Sequence, residues 1–422
     1  MLRQIDPETH AAARARLRQI TAPFAAKSVA PHLAQALRGR PAEAKMQRGH
    51  DLLIATHERK FLPLLCDRLE AEPGLKVFWQ YWPSSAKPPS DLPPDPAQLN
   101  FGRKTPAAGG ETETEPEAET GPGGKIGTSA RSGPGAAPLP PAETGRRQTV
   151  LCEWACENAV WHSQSRVPGR RLILRLHRFE AFRDFPQRIR WENVDLLIVV
   201  SEHFRRKLIA EFGLRPEQVV VQPQPIDWQA LQRPKHPEAR FTLGLVGINP
   251  FDHKRFDRAL EFLAALRARD PRFHLAVRSV MPWQIPWVWE GRPDERRRLT
   301  ELFQRLFSDP DLASAVRFDP AGPDMEEWFR GVGVILSSSD SEGCHTVVME
   351  GMASGALPIL HDWEGAAEFF GAEHVFADMR DAIPKVIAFA EANDPSARAA
   401  LAEKMRPYSA EPLAQLLLGE AP

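Results

Sequence analysis

The sequence has little of several features that would narrow its class at once. Its four cysteines are scattered through 422 residues, so neither a disulfide framework nor a zinc site is predicted. Lysine and arginine number 54 against 55 aspartate and glutamate, which gives no reason to expect a nucleic-acid partner. No apolar run approaches the length of a membrane span, and the first residues lack the apolar core of a signal peptide. We therefore expect a reduced, cytoplasmic protein.

The balanced net charge hides one local imbalance, at the start of the chain. Residues 1–48 contain nine lysines and arginines against three acidic residues, and prolines interrupt their helical pattern. Such a basic segment would favour an anionic membrane surface or an acidic partner, so peripheral contact with the inner face of a membrane is one expectation. A solvated helical lead-in is the alternative interpretation.

The pattern of strands and helices divides the chain into two similar halves. Short apolar runs alternate with amphipathic helices from residue 51 and again from residue 242, which predicts an α/β fold with parallel sheets. A segment rich in Pro, Gly, Ala, Thr and Glu interrupts the first half, and it is too polar to form a core, so disorder is predicted there. The predicted divisions are a helical extension over 1–46, a first domain over 47–230 with its insertion at 84–148, a linker at 231–240, a second domain over 241–400 and a helical tail over 401–422.

A strand, a loop and a helix follow one another between residues 331 and 355. The apolar run at the start predicts a buried parallel strand, and the spacing of later apolar residues predicts a helix from Thr346. Glu342 then lies in the loop, and Glu350 lies inside the helix. The free N–H groups of such a loop suit an anionic oxygen such as phosphate, and a carboxylate on the exposed face of the helix suits sugar hydroxyls. An ordinary strand–helix unit with two surface glutamates is the alternative.

The spacing of these glutamates, with Gly351-Met352-Ala353-Ser354-Gly355 after the second, resembles the signature of the retaining glycosyltransferases of family 4. The resemblance implies the GT-B fold, in which two Rossmann-like, doubly wound domains face a central cleft. By position it also implies that Glu342 lies against the transferred sugar and that Glu350 binds the ribose of the nucleotide. The loop residues whose amides would hold the diphosphate are Gly343, Cys344, His345 and Thr346.

A second part of the resemblance lies where the second half begins, in the loop from Gly247 to Arg255. A lysine at the start of a helix facing the cleft is a natural partner for a diphosphate, and Lys254 occupies the place of the family's phosphate-binding lysine. The family's usual arginine is Ile248 here, and the loop is one residue longer, so Arg255 is expected to supply the missing charge. Gly247 and Arg255 are therefore predicted to help bind substrate. A surface Lys–Arg pair is the alternative.

The first half contributes His177, which follows a predicted strand over residues 172–176. A polar side chain there points into the cleft, and the corresponding histidine of the family lies against the donor sugar and the reaction centre. A neutral imidazole could bond a sugar hydroxyl or assist the acceptor, whereas a satisfied structural histidine is the alternative. After the last strand of this half the family usually has Ile-Pro-Asn, and this chain has Gln222-Pro223-Gln224.

Together these features predict a hexosyltransferase-type enzyme that moves a sugar from a nucleotide-diphosphate donor to a hydroxyl acceptor, with retention at the anomeric carbon. Residues 48–83 and 149–375 resemble a bacterial branch tied to surface and capsular polysaccharide assembly, so a glycan, a lipid-linked or another hydroxyl acceptor is expected. The predicted catalytic residues are His177, Glu342 and Lys254. Neither a metal nor a cofactor is expected, since the letters Asp309-Pro310-Asp311 lie in a turn rather than at the end of a buried strand.

Two other functions stay open at this stage. A catalytically weak GT-B module would bind sugar nucleotides without transferring the sugar. A GT-B sugar-nucleotide epimerase would turn over its donor in the absence of any acceptor.

Overall fold

The structure is a computed structural model that describes residues 49–90, 92–93, 95–96, 99 and 146–419. Two six-stranded sheets, in which every strand pair is parallel, form its centre. The first sheet contains β1 (His50–Thr56), β2 (Leu75–Tyr81), β3 (Arg147–Glu153), β4 (Arg170–Leu176), β5 (Leu196–Val199) and β6 (Val219–Val221). The second sheet contains β7 (Thr242–Val246), β8 (His274–Arg278), β9 (Val316–Asp319), β10 (Val334–Ser337), β11 (Leu357–His361) and β12 (Val375–Phe376).

The first sheet has the strand order β2-β1-β3-β4-β5-β6. The winding of the chain reverses between β1 and β3, and ligands of open α/β sheets bind outside the carboxyl ends of the strands at such a switch point. β1 ends at Thr56 and β3 ends at Glu153. The residues that follow these two strands are therefore the ones that the first domain presents to a ligand.

The second sheet has the strand order β12-β11-β10-β7-β8-β9. If β7 is numbered 1 and the sheet is read from its β9 edge, this is the order 3-2-1-4-5-6 of the Rossmann sheets that bind dinucleotides. Its switch point lies between β7 and β10, which pair directly with Val334 opposite Leu243. The segments after β7 and β10 begin side by side for this reason, and these segments contain Lys254 and Glu342.

Helices cover the faces of both sheets, and the described α-helices run in chain order as α1 (Pro63–Glu70), α2 (Glu157–His162), α3 (Arg178–Ala181), α4 (Phe185–Arg188), α5 (Glu202–Phe212), α6 (Phe251–Lys254), α7 (Phe256–Arg267), α8 (Pro286–Trp289), α9 (Pro293–Ser308), α10 (Pro310–Ala315), α11 (Met325–Trp328), α12 (Thr346–Ala353), α13 (Ala366–Phe370), α14 (Ile383–Ala392), α15 (Pro395–Met405) and α16 (Glu411–Leu418). As the sequence predicts, α7 buries Phe256, Ala259 and Leu260, which are spaced to lie on one helical face. Among the helices of the described ranges, none has both the length and the apolar character that crossing a membrane requires.

The predicted divisions fall partly outside the described residues. The extension over 1–46 and most of the insertion over 84–148 lie there. At the edges of the insertion, β3 already begins inside the predicted bounds. Arg170 also donates hydrogen bonds to the carbonyl oxygens of Pro96 and Leu99, at 3.0 and 2.9 Å. The described part of the first domain thus extends into the segment for which the composition predicts disorder.

The last described helix, α16, lies against the first domain. On α16, Leu413 and Leu417 are fully buried in one apolar cluster with Leu65 of α1. Arg147 and Arg171 of the first sheet donate hydrogen bonds of 2.8 and 2.7 Å to backbone carbonyl oxygens at the end of α16. These bonds satisfy carbonyl groups that a helix C-terminus leaves without an internal donor.

Leu417→Ala is expected to lower the free energy of unfolding by about 2–5 kcal/mol, because it leaves a cavity where α16 meets the first domain. Urea denaturation followed by tryptophan fluorescence measures this loss. Gln415→Ala on the same helix is the control, and a change within about 0.5 kcal/mol is expected for it. Equal effects of the two substitutions would contradict the described packing of α16.

Candidate functional site

Two loops meet at the switch point of the second sheet. Lys254 ends the short helix α6 after β7, and Glu342 lies on the loop after β10. Lys254 Nζ is 3.0 Å from Glu342 Oε1, and the Ser339 hydroxyl donates a hydrogen bond of 2.6 Å to the same oxygen. The fold thus brings into contact two predicted site residues that are 88 positions apart in the chain.

Two histidines complete the surroundings of the Glu342 carboxylate. Nε2 of His253 and Nε2 of His345 each lie 3.7 Å from its Oε1 atom. Burial opposes the negative charge, but His345, Lys254 and His253 outweigh it and hold the pKa of the Glu342 carboxyl well below its usual range. Burial lowers the pKa of His345 to about 4, so its imidazole is neutral near neutral pH.

The loop between Glu342 and α12 offers backbone N–H groups. Within the described ranges, the N–H groups of residues 343–346 have no hydrogen-bond acceptor. His345 adopts a left-handed conformation with φ 43°, and α12 begins at the next residue, Thr346. The helix adds the positive end of its dipole. Such a loop can bind one anionic oxygen through several N–H groups at once.

The same loop contacts the first domain. Arg178 Nε donates a hydrogen bond of 2.9 Å to the Ser341 hydroxyl. A Cβ atom at Gly343 would lie 3.1 Å from the Val200 side chain and 3.5 Å from that of Arg178. Glycine therefore permits a closer approach of the two domains than other residues would, and the candidate site lies where they meet.

Glu350 lies on α12, where its side chain is half-buried rather than exposed as the sequence predicts. In the part of the chain that the structure describes, its carboxylate has neither a hydrogen-bond nor an ion-pair partner. Burial raises the pKa of Glu350 to about 7. A half-buried carboxylate of this kind can accept hydrogen bonds from the hydroxyl groups of a ligand.

The residues around Lys254 differ from the prediction in one respect. Lys254 is the last residue of α6 rather than the first residue of a helix. Arg255 follows with φ 51° and joins α6 to α7. Its guanidinium pairs with Asp257 at 2.9 Å and with Asp340 at 3.2 Å. Arg255 is therefore held by two carboxylates, and its expected contact with substrate stays a prediction.

The beginning of this loop packs into the core of the second domain. Ile248 is fully buried in the core, and its backbone N–H donates a hydrogen bond of 3.2 Å to the Ser279 hydroxyl. Gly247 has φ 77°, and a Cβ atom there would lie 3.9 Å from Cε of Lys254. Position 248 thus serves packing, whereas Gly247 lies beside the side chain of the candidate phosphate-binding lysine.

Four buried polar side chains lie at the carboxyl edge of the first sheet. The Glu153 carboxylate contacts Nη1 of Arg175 at 3.2 Å and Nε2 of His177 at 2.9 Å. Gln224 bonds to Nη2 of Arg175 and lies 2.8 Å from Nδ1 of His177. Glu153 and Arg175 are register partners on β3 and β4, and both are fully buried. Each buried charge is thereby paired with an opposite charge.

His177 therefore has a protein partner on each ring nitrogen. The Gln224 amide donates to Nδ1, which leaves Nε2 as the protonated nitrogen that donates to Glu153. Burial lowers the pKa of His177 even though Glu153 opposes the shift. The ring also packs on Trp154, with the ring centroids 4.4 Å apart. His177 is thus a neutral histidine held in one orientation, and its part in catalysis stays a prediction.

Gln224 joins the two halves of the site. Its backbone N–H donates a hydrogen bond to the sulfur of Cys344, and burial raises the pKa of that thiol. Gln224 thus contacts the loop before α12 as well as His177. The roles of Gln224 and Glu153 were not predicted from the sequence. A carboxylate at the end of the apolar run 149–152 was the available signal for Glu153.

Glu153→Gln is expected to lower the free energy of unfolding by about 3–5 kcal/mol, because Arg175 would become an uncompensated buried charge. Urea denaturation at neutral pH measures the loss. The control is Glu157→Gln, which removes a partly exposed partner of Arg188 and should cost about 0–1 kcal/mol. A loss for Glu153→Gln as small as that of the control would contradict the buried pair.

Asp309 and Asp311, which match the spacing of a metal-binding D-x-D motif, both have structural roles. Asp309 caps α10 by accepting hydrogen bonds of 3.1 Å from the backbone N–H groups of Asp311 and Leu312. The Asp311 carboxylate pairs with Arg267. No cluster of His, Cys, Asp and Glu within the described ranges is arranged to hold a metal ion.

No protein-family model matches this sequence, and no curated protein is similar to it. Solved structures do resemble the fold. The N-terminal domain of trehalose-6-phosphate phosphatase from Candida albicans is 12% identical, with a TM-score of 0.57 over 90% of this chain and 98% of that one. TarM of S. aureus is 14% identical, with a TM-score of 0.52 over 65% of this chain and 54% of that one. HepE from Anabaena, solved in complex with UDP, is 15% identical, with a TM-score of 0.49 over 64% and 78% of the two chains.

At these identities the likeness shows the fold alone, and this chain spans about half of the length of TarM. Each of the two parallel sheets has the strand order of a nucleotide-binding, doubly wound domain. The chain is an α/β protein with the GT-B fold, in which two Rossmann-like domains meet at the candidate site.

Proposed function

We propose that this chain is a retaining glycosyltransferase of the family 4 type, which transfers a sugar from a nucleotide-diphosphate donor to a hydroxyl acceptor. The contact of Lys254 with Glu342, at 3.0 Å, is the observation that carries the proposal. It lies at the switch point of a Rossmann sheet, beside backbone N–H groups that have no acceptor in the described part of the chain. Sheets of this kind bind nucleotides at that point.

The second domain would hold the donor. The N–H groups of residues 343–346 and the ammonium group of Lys254 bind the diphosphate, and Glu350 accepts hydrogen bonds from the ribose. Negative charge grows on the diphosphate as it departs, so these groups stabilise the transition state more than the bound substrate. The nucleotide diphosphate would leave the sugar on the same face from which the acceptor attacks. Such a reaction needs neither a protein nucleophile nor a metal ion.

The first domain would hold the acceptor, beside His177 and the switch point between β1 and β3. His177 is neutral and is oriented by Glu153 and Gln224, so it can shape the acceptor pocket near the reacting atoms. We assign the acceptor to the class of glycans or lipid-linked hydroxyl compounds of surface polysaccharide assembly. The reaction would take place in the cytoplasm or at the inner face of the membrane.

A thermal-shift screen with UDP-glucose, UDP-N-acetylglucosamine, GDP-mannose and ADP-glucose tests the proposal. A ligand at 100 times its dissociation constant stabilises the folded state by about 2.7 kcal/mol, so a true donor should raise the melting temperature clearly. The stabilising donor is then incubated with acceptors extracted from bacterial envelopes, and formation of a glycosylated product is followed. Failure of all four donors to shift the melting temperature would contradict the proposal.

A binding module is the second candidate, because both ring nitrogens of His177 are already occupied by protein groups. Such a module would be stabilised by a sugar nucleotide and would transfer nothing to any acceptor. Consumption of the donor without an acceptor would instead indicate an epimerase.

A further inference from the structure

A chain of hydrogen bonds lies behind the candidate donor loop. Trp363 Nε1 donates to the Ser337 hydroxyl at 3.2 Å, and this hydroxyl lies 2.7 Å from Nδ1 of His345. Ser337 is the last residue of β10, and Trp363 follows β11 closely. All three side chains are more than nine-tenths buried, with exposures of 2% for Trp363, 0% for Ser337 and 8% for His345. The sheet itself thus positions the imidazole.

This chain of bonds favours the tautomer of His345 that carries its proton on Nε2. The Ser337 oxygen accepts the Trp363 N–H, and its own hydrogen is then available for Nδ1. With Nδ1 as the acceptor, the proton of the neutral ring lies on Nε2. The negative charge of Glu342, 3.7 Å from Nε2, favours the same tautomer.

Nε2 of His345 is buried and has no hydrogen-bond partner among the described residues. Leaving a buried N–H group without an acceptor is unfavourable, so this atom is prepared for a group that arrives from outside. Its separation of 3.7 Å from Glu342 Oε1 is too long for a direct hydrogen bond. One oxygen atom between the two would be within hydrogen-bond distance of both.

A hydroxyl group fits this position better than a phosphate oxygen does. A hydroxyl accepts a hydrogen bond from Nε2 and donates its own hydrogen to the carboxylate, whereas a phosphate oxygen only accepts and is repelled by Glu342. We propose that a hydroxyl group of the donor sugar bridges Nε2 of His345 and the carboxylate of Glu342, so that His345 recognises the sugar rather than the diphosphate. This inference rests on the proposed function.

Isothermal titration of the full chain with UDP, GDP and ADP, and with the four sugar nucleotides of the thermal screen, tests the contact. His345→Asn suits this position because asparagine tolerates a positive φ. It should weaken binding of the sugar nucleotide by about tenfold and leave binding of the matching nucleotide diphosphate nearly unchanged. Equal weakening of both ligands, or of neither, would overturn the inference and leave the proposed function standing. Binding of none of these ligands would overturn both.

The hydrogen-bond chain has a separate test that needs no nucleotide. In the free protein labelled with ¹⁵N-histidine, NMR should show His345 with its proton on Nε2, and a proton on Nδ1 would overturn the inference. Trp363→Phe keeps the aromatic packing on Phe370 and removes the donor to Ser337. It should mix the two tautomers and weaken sugar-nucleotide binding alone. Trp328→Phe, which removes an indole bond of 2.8 Å to Asp319, is the matched control and should change neither.

Discussion

Lys254→Met is expected to lower kcat/KM for sugar transfer by about 10²–10³-fold. Methionine has a similar length but cannot neutralise charge on the departing diphosphate, and Ser339 still donates to Glu342 at 2.6 Å in its absence. The loss should fall mainly on kcat, because the charge on the diphosphate is larger in the transition state than in the bound donor. Initial rates of nucleotide diphosphate release, measured over a range of donor concentrations, separate kcat from KM.

Lys404→Met is the matched control for this experiment. Lys404 lies on α15, outside the candidate site, and forms an exposed pair with Glu373 at 3.3 Å. Its replacement should leave kcat/KM unchanged, since exposed pairs of this kind contribute little. Thermal unfolding of both variants shows whether the fold is retained. A folded Lys254→Met variant with native kcat would contradict the assignment of Lys254 to the leaving group.

Glu350→Gln is expected to weaken nucleotide binding by about 10–100-fold near pH 8. Hydrogen bonds to a charged acceptor contribute about 1.5–3 kcal/mol, and the neutral amide loses much of that contribution. Isothermal titration with the nucleotide diphosphate measures the change. Glu391→Gln, which alters an exposed carboxylate on α14, is the control and should bind as the native chain does. If Glu350→Gln bound the nucleotide as tightly as the native chain does, the proposed contact of Glu350 with the ribose would be contradicted.

The same carboxyl predicts how binding and stability depend on pH. Burial raises the pKa of Glu350 from 4.5 to about 7. Between pH 4.5 and about 7, the Glu350 carboxyl therefore holds a proton in the folded chain, whereas in the unfolded chain it has lost that proton. The contribution of Glu350 to the free energy of unfolding therefore falls as the pH rises from 4.5 to about 7. Nucleotide affinity should rise from pH 6 to pH 8 as the carboxylate forms. Both dependences should be weaker in Glu350→Gln, and an identical pH profile in that variant would contradict the shift.

That Glu342 and Lys254 lie at one site could be predicted from sequence because it follows from chain topology, whereas their direct contact could not. Glu342 and Lys254 each follow a short apolar run, and parallel strands at a switch point present such positions at one edge. The two halves were visible for the same reason, since each begins with a strand, a helix and a second strand. The half-burial of Glu350 was not visible, because the spacing of residues along a helix does not show what packs against it in space.

For a different physical reason, the polar network of the first domain could not be predicted from the sequence. Glu153 meets Arg175 only through the register of β3 on β4, and the polar insertion separates β3 from the strands before it. Gln224 reaches His177 only because the chain returns to the carboxyl edge after β6. Likewise, Trp363 reaches Ser337 because β11 lies beside β10. Such contacts depend on pairing in space, and spacing in the sequence gives no signal of them.

A crystal structure of the chain with the nucleotide sugar that stabilises it most tests the central claim directly. The account predicts diphosphate oxygens within hydrogen-bond distance of Lys254 Nζ and of the backbone N–H groups of residues 343–346, with the ribose on Glu350. A nucleotide sugar bound with its diphosphate away from both Lys254 and this loop would contradict it.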